Sequence, residues 1–164
     1  MSDRNDSDYQ KEIESLRERY LQFNLGNEVY AIPLLNVKEV IPVPNTTPVP
    51  NIPAYYKGIM NLRGQIISIL DLRKKLNIKP NEDLEEAVVI VELQGLNIGV
   101  IVDSINRVLH LQKEEVGEIP EVSSQINTRF IEGVYKGADA LTILLDLDGI
   151  LNIKEIKNMQ AKSA

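Results

Sequence analysis

The chain repeats itself, and the repeat limits it to a fold built from two similar halves. Residues 23–41 line up with residues 91–109, 68 positions further on. Both blocks run strand, Gly-containing turn, strand, and then an apolar set: Val37, Val40 and Ile41 in the first copy, Ile105, Val108 and Leu109 in the second. Gly58-Ile59 and the run Ile-Leu-Asp-Leu at 69–72 recur 75 positions on, as Gly133-Val134 and Leu-Leu-Asp-Leu at 144–147. The difference of seven falls in the loop 111–128. A unit of about 65–75 residues is small for a stable isolated domain, so two such halves are expected to share one core. Each offers about five short strands, enough for a small barrel that hides most of its edges. The groove between the halves is the natural place for a partner.

The clearest single stretch is residues 58–76, GIMNLRGQIISILDLRKKL. It reads as a strand, a tight turn at Arg63-Gly64 and a second strand rich in Ile. Gly64 takes a positive φ at no steric cost, and Asp71 is placed to cap a short helix over 72–76. Hairpins are also expected around Gly26-Asn27, Gln94-Gly95 and Gly137. Pro33 fits the first position of a short helix in which Leu34, Val37 and Val40 or Ile41 share a face. The matched segment 104–109 is expected to be helical too, capped by Asp103 or Ser104, and 146–156 a short terminal helix. Residues 1–17 read as a flexible tail, with only a weak stripe of Ile13 and Leu16 that continues to Tyr20, and residues 154–164 as a polar C-terminal tail. The folded part is then 18–153, divided near 20–85 and 86–153.

Five of the eight prolines lie between Pro42 and Pro53. Such a segment is neither a helix nor a central strand. It is a stiff loop, and both a pre-organised contact surface and a plain connector fit it. Arg63 is a fixed charge within an apolar unit and calls for a carboxylate or a binding role. Its repeat counterpart is Ala138, and that of Glu39 is Arg107. The pair Glu39 and Arg63 is therefore special to the first half, and the two are expected to meet.

Other functions find little support. The net charge of −6 argues against a general nucleic-acid binder. No apolar run is long enough to span a bilayer. Zero Cys removes disulfides and thiolate chemistry, and one His leaves little room for His-based catalysis. Asp71 and Asp146 occupy equivalent positions and could form a carboxylate pair, but each is explained as a cap after a strand. No phosphate loop, nucleophile elbow or EF-hand spacing is present. The chain reads as a binding module with no enzymatic activity, cofactor or metal.

At these residues a resemblance enters. The run GIMNLRGQIISILDLR, with YAIPLLNVKEVI, TPVPNIPAYYKG and IGVIVDSINRVL in the same order, resembles the CheW-type chemotaxis adaptors over about residues 18–153. The resemblance implies an all-β fold of two intertwined five-stranded SH3-like β-barrels sharing a hydrophobic junction, with short helices. It implies a cytoplasmic, non-enzymatic adaptor, recruited to membrane-bound receptor arrays, that couples transmembrane chemoreceptors to the CheA histidine kinase. The receptor's cytoplasmic hairpin tip would lie between the barrels, near Val37, Val40, Val102 and Ile105, as apolar anchors for a helix. The kinase's regulatory domain would dock on the first barrel, with Pro44, Pro48, Pro50, Tyr55 and Tyr56 as candidate contacts. A scaffold serving another output, such as surface motility, is the alternative.

Overall fold

The computed structural model of the chain describes residues 6–119, 127–138 and 140–162. Strands of alternating or continuous apolar residues dominate it, as the β-branched composition of the repeats dictates. The element order is α1 (Asp6–Arg17), β1 (Arg19–Leu25), β2 (Glu28–Pro33), β3 (Val37–Pro42), β4 (Tyr56–Leu62), β5 (Gln65–Asp71), α2 (Leu72–Leu76), β6 (Ala87–Leu93) and β7 (Leu96–Val102). It continues with β8 (Ser104–His110), β9 (Val116–Gly117), β10 (Ile131–Lys136), β11 (Leu141–Leu145), α3 (Leu147–Ile150) and α4 (Ile153–Ala161).

The strands form two sheets. One has six, in the order β8-β1-β2-β11-β10-β9; the other has five, in the order β3-β6-β7-β5-β4. The sheets do not divide at 85/86. β3, from the first repeat, pairs antiparallel with β6, and β8, from the second, pairs antiparallel with β1. Each repeat thus gives one strand to the sheet of the other. Each sheet also holds one parallel pair, β2 with β11 and β5 with β7.

The largest core lies at the junction. It takes Phe23, Leu25, Tyr30 and Ile32 from the six-stranded sheet, and Val89, Val91, Ile98, Val100 and Val102 from the five-stranded one. The alternate residues of the five-stranded sheet, Ile67, Ile69, Val88, Ile90 and Ile101, form a second cluster with Ile41, Met60 and Leu62 from its two edge strands. Both faces of that sheet are therefore buried, which is why 87–93 reads as a nearly unbroken apolar run. The six-stranded sheet has a smaller second cluster of Ala31, Leu109, Leu111 and Leu144. Beside it lies a buried bond from Gln22 Nε2 to Thr142 Oγ1, 2.9 Å.

Four sequence expectations are corrected. Residues 34–41 are not a helix: Leu34–Asn36 forms one 3-10 turn and Val37–Pro42 is strand β3. The matched 104–109 is strand β8. Apolar residues at i, i+3 and i+4 fit either period in so short a run, and tertiary pairing decides for β-branched residues. The N-terminal tail is the 12-residue helix α1, none of whose residues is buried. The C-terminal tail is helix α4, docked through buried Ile153, Ile156 and Met159.

Candidate functional site

β3 and β8 are edge strands, each reached by a crossover from the opposite sheet. Val37, at the start of β3, and Ile105, near the start of β8, are half-buried against the junction core. Both keep apolar surface in reach of a partner. Val40 is exposed at 43%, as is its repeat counterpart Val108 at 49%. Val102 differs: it is fully buried within the junction core, so it supports the fold and offers no surface. Its place at the end of an apolar strand run gave no sign of which face it takes.

Arg63 Nη2 donates to Glu39 Oε2. Arg63 and Gly64 form the β4–β5 turn with φ of 49° and 87°, and Gly64 N donates to Asn61 Oδ1 at 2.8 Å. Glu39 lies on β3, at the opposite end of the strand order from β4. The ion pair therefore links the two edges of a curled sheet. The Arg63 side chain is 69% exposed and that of Glu39 32%, so the contact is open to solvent and to partners.

The Pro-rich loop lies against β4. Thr47 exchanges backbone hydrogen bonds with Ile59 at 3.0 and 3.1 Å. This close approach needs Gly58, where a Cβ would sit 2.4 Å from the Thr47 carbonyl oxygen. Val49 is buried beneath the loop, while Pro48 and Pro50 are exposed and Pro44 half-buried. The loop both shields an edge strand and presents a stiff surface. Tyr55 is half-buried: its hydroxyl donates to Glu155 Oε1 of α4 at 2.7 Å, and Lys75 Nζ lies 4.4 Å from its ring centroid. Tyr56 is a core residue, 3% exposed, with its hydroxyl 2.7 Å from Ser68 Oγ. Its place among the surface candidates is corrected accordingly: Tyr55 lies in the turn before β4, while Tyr56, the first residue of β4, faces the core.

Asp71 caps α2, accepting from Arg73 N at 3.0 Å and Lys74 N at 3.3 Å. Asp146 makes no such side-chain cap. The charged centre that sequence reasoning missed is Arg73, 6% exposed. It donates to Asp71 Oδ1 and Oδ2 at 3.0 and 3.1 Å, to Asp103 Oδ1 at 2.6 Å and to Glu86 Oε2 at 2.6 Å. Burial disfavours its charge, but the hydrogen bonds it donates to Asp71 and Asp103 outweigh that and hold its pKa above the usual value. Asp103 is fully buried and also accepts from Gly26 N and Asn81 N. The only local signal was Asp-Leu-Arg at 71–73; Asp103 is too far along the chain to be paired with it by spacing.

Among the described residues, no group of three or more His, Asp or Glu is placed to hold a metal ion. No helix of the described residues is long and apolar enough to cross a membrane. What the residues assemble is a two-sheet β module with half-buried apolar edges and a surface ion pair, the features of a protein-binding module. The CheW-like domain model matches residues 19–155, and the chain belongs to that family. It is 34% identical over 144 residues to the chemotaxis protein CheW of Klebsiella aerogenes, covering 87% of each chain. It is 32% identical over 142 residues to that of Treponema pallidum, covering 84% of each. The crystal structure of the scaffolding protein CheW from Thermoanaerobacter tengcongensis superposes with a TM-score of 0.76 at 30% identity, over 85% of this chain and 90% of that one. The chain is thus a chemotaxis scaffold of the CheW type. Helix α1 precedes the residues that the family model matches.

Proposed function

We propose that this protein is a non-enzymatic adaptor coupling transmembrane chemoreceptors to the CheA histidine kinase. The observation that carries the reading is the CheW-like match over 19–155. Half-buried Val37 and Ile105, on edge strands beside the junction core, support a groove there. In this reading each curled sheet acts as an SH3-like barrel, and the receptor's helical hairpin tip lies in the groove between them. Val37, Val40 and Ile105 are its apolar anchors. The kinase's regulatory domain docks on the first barrel through Pro44, Pro48, Pro50 and the exposed part of Tyr55. Glu39 and Arg63 shape the surface between these contacts. The protein works in the cytoplasm and joins membrane-bound arrays only through its partners.

The test is capture of a receptor hairpin fragment and of the kinase regulatory domain by purified protein, followed by receptor-coupled kinase assays. Val37→Ser is expected to weaken hairpin capture while the circular dichroism spectrum and melting curve stay as in the wild type. Val102→Ser is expected to lower stability first, because it places a hydroxyl in the junction core. Unchanged capture by folded Val37→Ser would remove the groove from the reading.

A further inference from the structure

The buried Arg73 centre stands where the sheets exchange strands. Asp71 ends β5 of the five-stranded sheet and Arg73 lies in α2, which follows it. Asp103 is the single residue between β7 of that sheet and β8 of the other. Its backbone N donates to the Asn24 carbonyl at 2.9 Å, and its Oδ2 takes the Gly26 amide, so it is fastened to the β1–β2 hairpin of the six-stranded sheet. Asn81 and Glu86 add the connector between the repeats. One guanidinium therefore holds both sheets and the connector through directional bonds, several of them charge-assisted.

The duplication should provide a second such centre at the other crossover, from β2 to β3, and it does not. The repeat counterpart of Arg73 is Asp148, that of Asp103 is Leu35 and that of Gly26 is Gln94. Leu35 is 48% exposed. This crossover is tied by Asn36 Nδ2 to the Glu92 carbonyl at 3.3 Å and by the solvent-exposed pair Lys38–Glu92. Exposed pairs of this kind contribute little. One crossover is locked by buried charge; the other is held by the apolar packing of Leu34 and Val37 and by these exposed polar contacts.

We propose that Arg73 is a positioning residue that fixes the angle between the two sheets, through Asp103. The apolar junction core contributes burial and close packing, and the fork on Asp71 and Asp103 adds a directional, charge-assisted constraint between the sheets. That the groove receives a partner rests on the reading above; the positioning role itself does not need it.

The chain has no Cys, so spin labels can be placed by Lys57→Cys on β4 and Arg107→Cys on β8, both exposed and one on each sheet. Electron–electron distances are measured in the wild type, in Arg73→Lys, and in the double variant Arg73→Gln with Asp103→Asn. The double variant removes the Arg73–Asp103 ion pair but keeps an amide oxygen at position 103 for the Gly26 and Asn81 backbone N–H groups and an amide donor beside Asp71, so no buried polar group is left without a partner. It is therefore the arm that keeps the test sound if Arg73→Lys does not fold. The expected result is a cooperative melt in the double variant together with a broadened inter-label distance distribution. A folded double variant whose distribution matches the wild type would overturn the proposal and leave Arg73 a stabilising residue only. Hairpin capture measured in parallel reports on the groove separately, since Val37→Ser alters it without touching the Arg73 centre.

Discussion

Replacing Ile156 by Ala tests whether α4 is part of the folded unit or an appendage. Ile156 is 1% exposed and belongs to the junction core with Ile153 and Met159. Truncating a buried Ile to Ala costs about 2–5 kcal/mol, the sum of lost transfer energy and the cavity left behind. Partial collapse limits that cavity if the short helix can shift. Against collapse, Gln160 Nε2 is bonded to the Ile66 carbonyl at 3.0 Å, Ser68 Oγ donates to Gln160 Oε1 at 3.0 Å, and Tyr55 holds Glu155. The helix is pinned on both sides of Ile156, so the cost should fall in the middle of the range. For a chain of this size about 3 kcal/mol lowers the melting temperature by roughly 6–12 °C. Thermal and urea denaturation followed by circular dichroism measure it, with exposed Lys157→Ala as the control, expected within about 0.5 kcal/mol of wild type. If the two variants melt together, α4 is not docked as described, and the polar-tail reading of 154–164 returns.

Three further outcomes follow from the geometry. A double-mutant cycle of Glu39→Ala and Arg63→Ala should show a stability coupling of only about 0–1 kcal/mol, because the pair is largely exposed; a larger loss in receptor-coupled kinase activity would assign it to partner contact. Tyr55 has its pKa pushed up to about 12 by burial and then by the Glu155 hydrogen bond. A raised pKa favours the folded state below the ordinary value near 10, and that contribution is lost as pH rises towards 12. Phenolate absorbance should therefore show a late-titrating tyrosine that disappears in Tyr55→Phe. Gly58→Ala should destabilise by more than the usual Gly→Ala effect, since φ is 150° and the new Cβ meets the Thr47 carbonyl; amide exchange at Thr47 and Ile59 should speed up with it.

The hairpins at Gly26, Gly64 and Gln94-Gly95, the Asp71 cap and the duplication were all legible, because each is local or repeats a local pattern. β3 and β8 were not, since Val37, Val40 and Ile41 satisfy a helical period as well as a half-buried edge strand. Only pairing with β6 shows which applies. The helix expected over 146–156 is two helices, α3 and α4; the extension of α4 to Ala161 was missed because Met159 stands among lysines and polar residues, and the face it shares with Ile153 and Ile156 matters only once the junction offers a surface. Arg63 drew attention for its apolar neighbours, yet Arg73 is the buried one. Its burial depends on Asp103, which a reading of strand ends treats as a cap.

The exchange of strands between repeats also sets how the chain must fold. The β1–β2 hairpin is synthesised first, but its neighbours in the sheet are β8 on one side and β11 on the other. Val29 waits for Thr142, and β3 waits for β6. A growing chain therefore carries open strand edges until its last strand has appeared, and loop closure over such separations is slow. Expression of either repeat alone should yield aggregation-prone material, and the two fragments should recover a native-like spectrum only when refolded together.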